Sequence, residues 1–284
     1  MSHLVSVSEL SELLDAGAPV RVLDVRWRLD KPDGRAEYLD GHVPGAVYVD
    51  LGGELADHTV SHRGRHPLPA AADLERSARR WGLHDGDIVV AYDHARGLAA
   101  ARAWWLLRRA GVDIRVLDGG LPAWVAAGGA LETGEVTAPR GDVHLTDSTV
   151  GVIDIDEAAA FPEAGVLLDV RAPERYRGDV EPLDPIGGHI PGAVNLPTPV
   201  HLADDGTLRH PDELRATFAA AGVTEGTPVA VYCGSGITAA HTALALEEAG
   251  IEALVFPGSW SEWSTAPGRP VARGDAPSGI DAAE

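Results

Sequence analysis

Two tandem α/β domains, each a mainly parallel sheet with helices on both faces, are predicted by three features of this sequence. They are its length, an internal repeat, and alternating strand-like and helix-like patterns within each copy. At 284 residues the chain exceeds one ordinary core and suits two. Val22-Leu23-Asp24-Val25-Arg26 returns as Leu167-Leu168-Asp169-Val170-Arg171. Gly41-His42-Val43-Pro44-Gly45-Ala46-Val47 returns as Gly188-His189-Ile190-Pro191-Gly192-Ala193-Val194. Val89-Val90-Ala91-Tyr92-Asp93 aligns with Val229-Ala230-Val231-Tyr232-Cys233, and Gly119 and Trp124 match Gly258 and Trp263. Matches in one order at offsets of 139 to 147 residues indicate duplication of a whole domain; solenoid repeats recur every 20–50 residues or so.

The elements follow in order. Val20–Val25 and Ile88–Tyr92 are short apolar runs of the kind buried strands make, and Ala70–Trp81 and Leu98–Ala110 have helical spacing and Ala/Leu/Arg content. The second copy repeats this with strands over Gly165–Val170 and Pro228–Tyr232 and helices over Asp212–Ala221 and Thr238–Ala249. Strand–helix alternation requires crossovers, hence parallel strands with both faces covered. The expected organisation is a first domain over 1–134, a linker over 135–148 rich in Gly, Thr, Pro and charge, a second domain over 149–273, and a flexible tail over 274–284.

Composition narrows the function. Hydrophobic residues are 45% and charged residues 23%, the balance of a soluble globular protein. No run of 18 apolar residues and no charged-then-apolar leader is present, so a cytoplasmic protein without membrane contact is expected. The formal charge is 23 − 43 = −20, which repels nucleic acid and anionic lipid as partners. Lys31 is the only lysine; the other 22 cations are arginines. Cys233 is the only cysteine, which excludes an internal disulfide and argues against a cysteine zinc site; no metal or cofactor is expected.

The chemistry concentrates after the strand ending at Tyr232. In Cys233-Gly234-Ser235-Gly236-Ile237-Thr238-Ala239, two glycines allow the backbone to curl with its N–H groups inward, and the helix opening near Thr238 adds its unsatisfied N–H groups and positive dipole end. A cysteine at the mouth of such a nest is where a thiolate, or the outer sulfur of a persulfide, is stabilised. The same residues also suit a glycine-rich turn around an inert cysteine.

This loop resembles the active-site loop of 3-mercaptopyruvate sulfurtransferases, in the tandem-domain branch of the rhodanese superfamily. The likeness spans roughly residues 4–272. Tyr38-Leu39-Asp40-Gly41-His42-Val43-Pro44-Gly45-Ala46 resembles the family's first signature, and Ala253-Leu254-Val255-Phe256-Pro257-Gly258-Ser259-Trp260-Ser261-Glu262-Trp263 its C-terminal one. The resemblance implies a catalytic second domain and a first domain without a catalytic centre, since Asp93 stands where Cys233 stands. It also implies double displacement: Cys233 takes a sulfur from a small donor and passes it to cyanide, a thiol or a thioredoxin-like acceptor.

Further roles come with the resemblance. Ser235 would bond the donor's carbonyl or departing enolate, and Gly234, Gly236, Ile237 and Thr238 would surround the sulfur. Arg175 would grip the donor carboxylate through its planar fork. A second arginine usual nine positions on is replaced by Asp184. His66 would join a serine–histidine–aspartate relay, although Gly52 occupies the aspartate's apparent place, with Asp50 and Asp57 nearby. His42 and His189, and the pairs Asp24/Arg26 and Asp169/Arg171, occur in both copies and so are read as structural; Trp260 and Trp263 are read as core aromatics.

Rival functions are weighed on the same loop. A phosphatase relative would carry an arginine at position 239, which is Ala239. A non-catalytic binding module would usually lack the cysteine. A thiosulfate sulfurtransferase typically has Arg and Lys where Gly234 and Ser235 stand. A loop without cations therefore favours 3-mercaptopyruvate over thiosulfate as donor.

Overall fold

The computed structural model describes residues 2–279. They form two compact units, each built on its own sheet. The first unit comprises the chain up to Asp57, Leu68–Val150 and Ala203–Leu208; the second comprises His58–Pro67, Gly151–Leu202 and the chain from Arg209. Two segments therefore belong to the unit opposite their sequence copy. His58–Pro67, from the first copy, is one of them.

In the first unit β1 (Leu4–Val5), β2 (Val20–Asp24), β3 (Val47–Tyr48), β4 (Ile88–Tyr92) and β5 (Ile114–Leu117) form an all-parallel sheet of order β1-β5-β4-β2-β3. Its helices are α1 (Val7–Asp15), α2 (Arg35–Asp40), α3 (Leu51–Glu54), α4 (Ala71–Arg80), α5 (Ala100–Arg109) and α6 (Gly120–Ala126). The second unit has β6 (Val166–Asp169), β7 (Val194–Asn195), β8 (Val229–Tyr232) and β9 (Leu254–Val255), all parallel in order β7-β6-β8-β9. A single parallel bridge, Val152 to Val255, stands where a fifth strand would be. Its helices are α7 (Ile155–Ala160), α8 (Pro173–Arg177), α9 (Pro211–Ala220), α10 (Thr238–Glu248) and α11 (Ser259–Trp263).

Every residue of β8 is buried, as are Val89 to Tyr92 of β4. Side chains alternate across a strand, so burial at each position means both faces are covered, and the continuous apolar runs follow. Val22, Val90 and Tyr92 join the core of the first unit with Leu10 and Trp124; Leu167, Ala230 and Tyr232 join that of the second with Phe256, Trp260 and Trp263.

The residues read as structural form duplicate scaffolds. Asp24 pairs with Arg26, which also donates to Gly41 O; Asp169 pairs with Arg171 at 2.6 Å, which also donates to Gly188 O. His42 bonds Tyr38 O and stacks on Tyr38, and His189 does the same with Tyr176. Breaking such a buried pair leaves an uncompensated charge and costs about 3–5 kcal/mol.

Two segments expected to be loose are held. Along 135–148, Gly141, Val143 and Thr146 N–H groups donate to Arg79, Leu83 and Ala110 carbonyls, so this linker packs on the first unit. The expected tail is tied as far as it is described: Gly274 N donates to Arg177 O, and Pro277 O accepts from Gly192 N at 2.7 Å. Composition signals turns in both places, and these backbone hydrogen bonds to folded neighbours decide the outcome. Residues 280–284 lie outside the described ones.

His201, between Thr198 and α9, is 0% exposed and packs on Phe218; neither ring nitrogen has a hydrogen-bond partner among the described residues. Burial, with a smaller contribution from His241, pushes its pKa down to about 3. The unfolded chain takes up the proton first, near pH 6.5, so stability present above that pH is lost as pH falls toward 3. This one group should remove about 2 kcal/mol between pH 7.5 and pH 5. Urea unfolding at both pH values should show a shallower loss in His201→Leu; equal losses in variant and wild type would refute the assignment.

Candidate active site

The second unit places Cys233 directly after β8, at the carboxyl ends of parallel strands, where loops from neighbouring strands converge. Its Sγ accepts hydrogen bonds from Ser235 N at 3.4 Å and Gly236 N at 3.1 Å. Gly236 has φ +80°, and a Cβ there would stand 2.3 Å from Pro257 O, so only glycine fits. The next residues, Ile237 and Thr238, cap and open α10. The nest forms as expected, with Ser235 and Gly236 the N–H groups bonded to sulfur.

A second segment buttresses this loop. Trp260 N donates to Cys233 O at 2.9 Å and Ser261 N to Gly234 O at 3.0 Å. Ser259 Oγ accepts from Cys233 N at 3.1 Å, donates to Phe256 O at 2.9 Å, and lies 3.9 Å from Sγ. Ser259 has φ +54°, a left-handed backbone that costs an L residue about 1–2 kcal/mol. Sequence reasoning passed over it. The repeat offset of 139 places it opposite Gly120, which has φ +61°, and that is the signal that could have found it.

The loop itself carries no cation, but two reach it from other segments, the expected Arg175 and a second one, Arg65. Two guanidiniums, from Arg65 and Arg175, come within 3.1 and 3.5 Å of where a Cβ on Gly234 would stand. Arg175 is bonded to Glu181 at 2.7 Å and to Asp184 at 3.2 Å, and Arg65 is paired with the other oxygen of Asp184. Burial pushes the Asp184 carboxyl up, Arg65 and Arg175 pull it back, and Glu181 adds to the push. Arg65 is about 170 positions from Cys233, so no local motif could reveal it. Lys31 is paired with Glu37 in the first unit.

Ser235 and His66, two members of the expected relay, both belong to the second unit. Ser235 is buried, and its Oγ bonds none of the described residues; the His66 ring meets His58 edge-on at 5.9 Å. Asp50, in the first unit, caps α3 by accepting from Gly52 N. Among the described residues no group of three or more His, Cys, Asp or Glu is placed to hold a metal, and no helix is long and apolar enough to cross a membrane.

The sequence matches the rhodanese-like domain family twice, over residues 6–127 and 154–266. The chain belongs to the rhodanese family. Among its relatives, SseB of Mycobacterium tuberculosis, named provisionally as a thiosulfate sulfurtransferase, is 51% identical over 277 residues, covering 96% of this chain and 98% of SseB. A Pseudomonas aeruginosa protein, named provisionally as a 3-mercaptopyruvate sulfurtransferase, is 44% identical and covers 89% of this chain and 92% of itself. The crystal structure of SseA from Escherichia coli, described as a 3-mercaptopyruvate sulfotransferase, superposes with TM-score 0.82 at 32% identity, over 92% of this chain and 100% of SseA.

The first rhodanese domain builds a similar nest, although its loop Asp93-His94-Ala95-Arg96-Gly97 lacks the paired glycines. Asp93 Oδ1 accepts from Ala95 N at 2.6 Å and Gly97 N at 2.9 Å; Oδ2 accepts from Ala99 N at 2.7 Å and Ala100 N at 3.0 Å. Arg96 takes the place of Gly236 with φ +63°. A carboxylate thus fills this rhodanese nest permanently. Asp93→Ala strips an acceptor from buried donors that each cost about 1–3 kcal/mol unpaired, and should destabilise the chain by roughly 3 kcal/mol or more in urea unfolding. A loss below about 1 kcal/mol would contradict that role.

Proposed function

We propose that this rhodanese is a sulfurtransferase that moves a sulfur from 3-mercaptopyruvate through a Cys233 persulfide to a thiophilic acceptor such as cyanide, a small thiol or a thioredoxin-like protein. The observation that carries the reading is the pair of N–H groups on Cys233 Sγ, a setting suited to an anionic sulfur. The relatives named for 3-mercaptopyruvate support the donor. We also propose a cytoplasmic location, which fractionation would test.

In the first step the Cys233 thiolate attacks the donor's thiol sulfur. The sulfur–carbon bond breaks and its electron pair leaves on the pyruvate enolate. The proton on the transferred sulfur ends on that carbon, giving pyruvate and the persulfide anion. Gly236 N and Ser235 N stand ready to share that negative charge, and the Ser235 hydroxyl is the group we assign to the enolate oxygen. In the second step the acceptor attacks the outer sulfur, the sulfur–sulfur bond breaks, and its electron pair returns to Sγ as the thiolate. His66, whose ring meets His58 edge-on, is the histidine we assign to this site.

A second reading, thiosulfate as donor, draws on Arg65 and Arg175 beside Gly234 and on the name of SseB. Mercaptopyruvate is preferred because its carboxylate lies farther from the reacting sulfur than the sulfite oxygens do, within reach of a clamp braced beyond the loop. We expect kcat/KM at least tenfold higher for 3-mercaptopyruvate than for thiosulfate, a gap of about 1.4 kcal/mol. Parity or a thiosulfate preference in steady-state kinetics would reassign the donor and leave the sulfurtransferase in place.

Cys233→Ser should remain folded, lose transfer to below about a thousandth of wild type, and fail to gain the ~32 Da of one sulfur in intact mass after donor treatment. Appreciable turnover in that variant would exclude the persulfide route.

A further inference from the structure

We propose that Arg65 is the second cation of the donor's anion grip, standing with Arg175 over Gly234, and that Asp184 is the brace that aims the two side chains. The inference rests on the donor reading above. Its basis is the division of labour within the two guanidiniums. Arg175 spends Nε and Nη2 on Glu181, at 3.2 and 2.7 Å, and shares Nη2 with Asp184. Its Nη1 bonds none of the described residues and lies 3.5 Å from the Cβ position of Gly234. Arg65 gives Nη1 to Asp184, and its Nη2, likewise uncommitted, lies 3.1 Å from the same point. Two NH2 groups from two different side chains thus converge beside the residue that follows the nucleophile.

Two such cations repel one another unless an anion lies between them. Asp184 is that anion: its side chain is 3% exposed, and its two oxygens serve one guanidinium each. The position that removes an expected arginine from the sequence is therefore the one that fixes Arg65. Arginine suits the task because its fork can be held on one side by a carboxylate and present N–H groups on the other, which an ammonium on a flexible stem does not do. Glycine at 234 keeps the approach open, since a Cβ there would crowd Arg65 Nη2 at 3.1 Å and push it aside.

The segment carrying Arg65 is pinned by its backbone rather than by this side chain. Arg65 N donates to Ser261 Oγ at 3.0 Å, and Gly64, at φ +83°, lies so close that a Cβ would stand 2.4 Å from Gly258 O. Changing the side chain should leave the segment seated. An anion gripped in the ground state and the transition state alike appears in KM rather than in kcat.

The test is steady-state kinetics of Arg65→Met, which keeps the aliphatic stem, and Arg65→Lys, which keeps the charge, with a neutral thiol as acceptor. For Arg65→Met we expect KM for 3-mercaptopyruvate to rise at least tenfold, with kcat within about threefold of wild type. Arg65→Lys should recover part of that rise. The rate at which the thiol discharges a preformed persulfide should be unchanged, since that step holds no donor anion. An unchanged KM in both variants, with wild type turning over 3-mercaptopyruvate, would overturn the role of Arg65. Should wild type fail to use 3-mercaptopyruvate at all, the donor reading falls, and the same measurement with thiosulfate decides Arg65: a tenfold KM rise supports the grip, and no rise overturns it.

Discussion

A turn that aims several backbone N–H groups at one point needs an anion there, because unpaired buried donors cost about 1–3 kcal/mol each. Both units of this chain are organised around that requirement at the end of a central parallel strand. In the first unit the anion is a side-chain carboxylate, Asp93, with four N–H groups on its two oxygens. In the second the acceptor is the sulfur of Cys233, with two. Duplication made two nests; the residue at the centre separates a filled one from a reactive one. A carboxylate satisfies its donors without being able to carry a sulfur, whereas a thiolate can accept one and keep its charge within the same N–H groups.

What surrounds the nest follows from holding it in place. The Asp–Arg pairs and the His–Tyr stacks tie the strand ends to the Gly-His-x-Pro-Gly segments in both units alike, so they serve the fold. The features peculiar to the second unit hold the Cys233 loop. Ser259 takes a left-handed backbone that glycine takes in the first unit, and sets a hydroxyl against Cys233 N. Trp260 and Ser261, the next two residues of the same segment, clamp the carbonyls of Cys233 and Gly234. The loop is held on its outer side by backbone bonds, leaving its inner N–H groups free to face sulfur.

The sequence made the fold legible where patterns are long enough. Ile88–Tyr92 and Thr238–Glu248 fall within a residue or so of their expected bounds because continuous burial and helical periodicity act over whole segments. Leu4–Val5, Val47–Tyr48 and Leu254–Val255 were not anticipated, since two residues carry no period. The nest was legible for Cys233 through its glycines and illegible for Asp93, where Arg96 stands in place of Gly236 and takes the positive φ itself. Arg65 was beyond sequence reading altogether. Its role depends on a first-copy segment joining the second unit, a tertiary fact with no local signature. Asp184 illustrates the same limit from the other side: a residue that looks like the loss of a cation is the partner that holds one.

The claim on which everything else depends is that the nest at Cys233 holds the transferred sulfur as an anion. A crystal structure of the protein after treatment with 3-mercaptopyruvate tests it most directly. The outer sulfur should lie inside the loop, within hydrogen-bonding distance of N–H groups between Gly234 and Thr238. An outer sulfur directed away from the loop, with those N–H groups bound to water instead, would contradict the account.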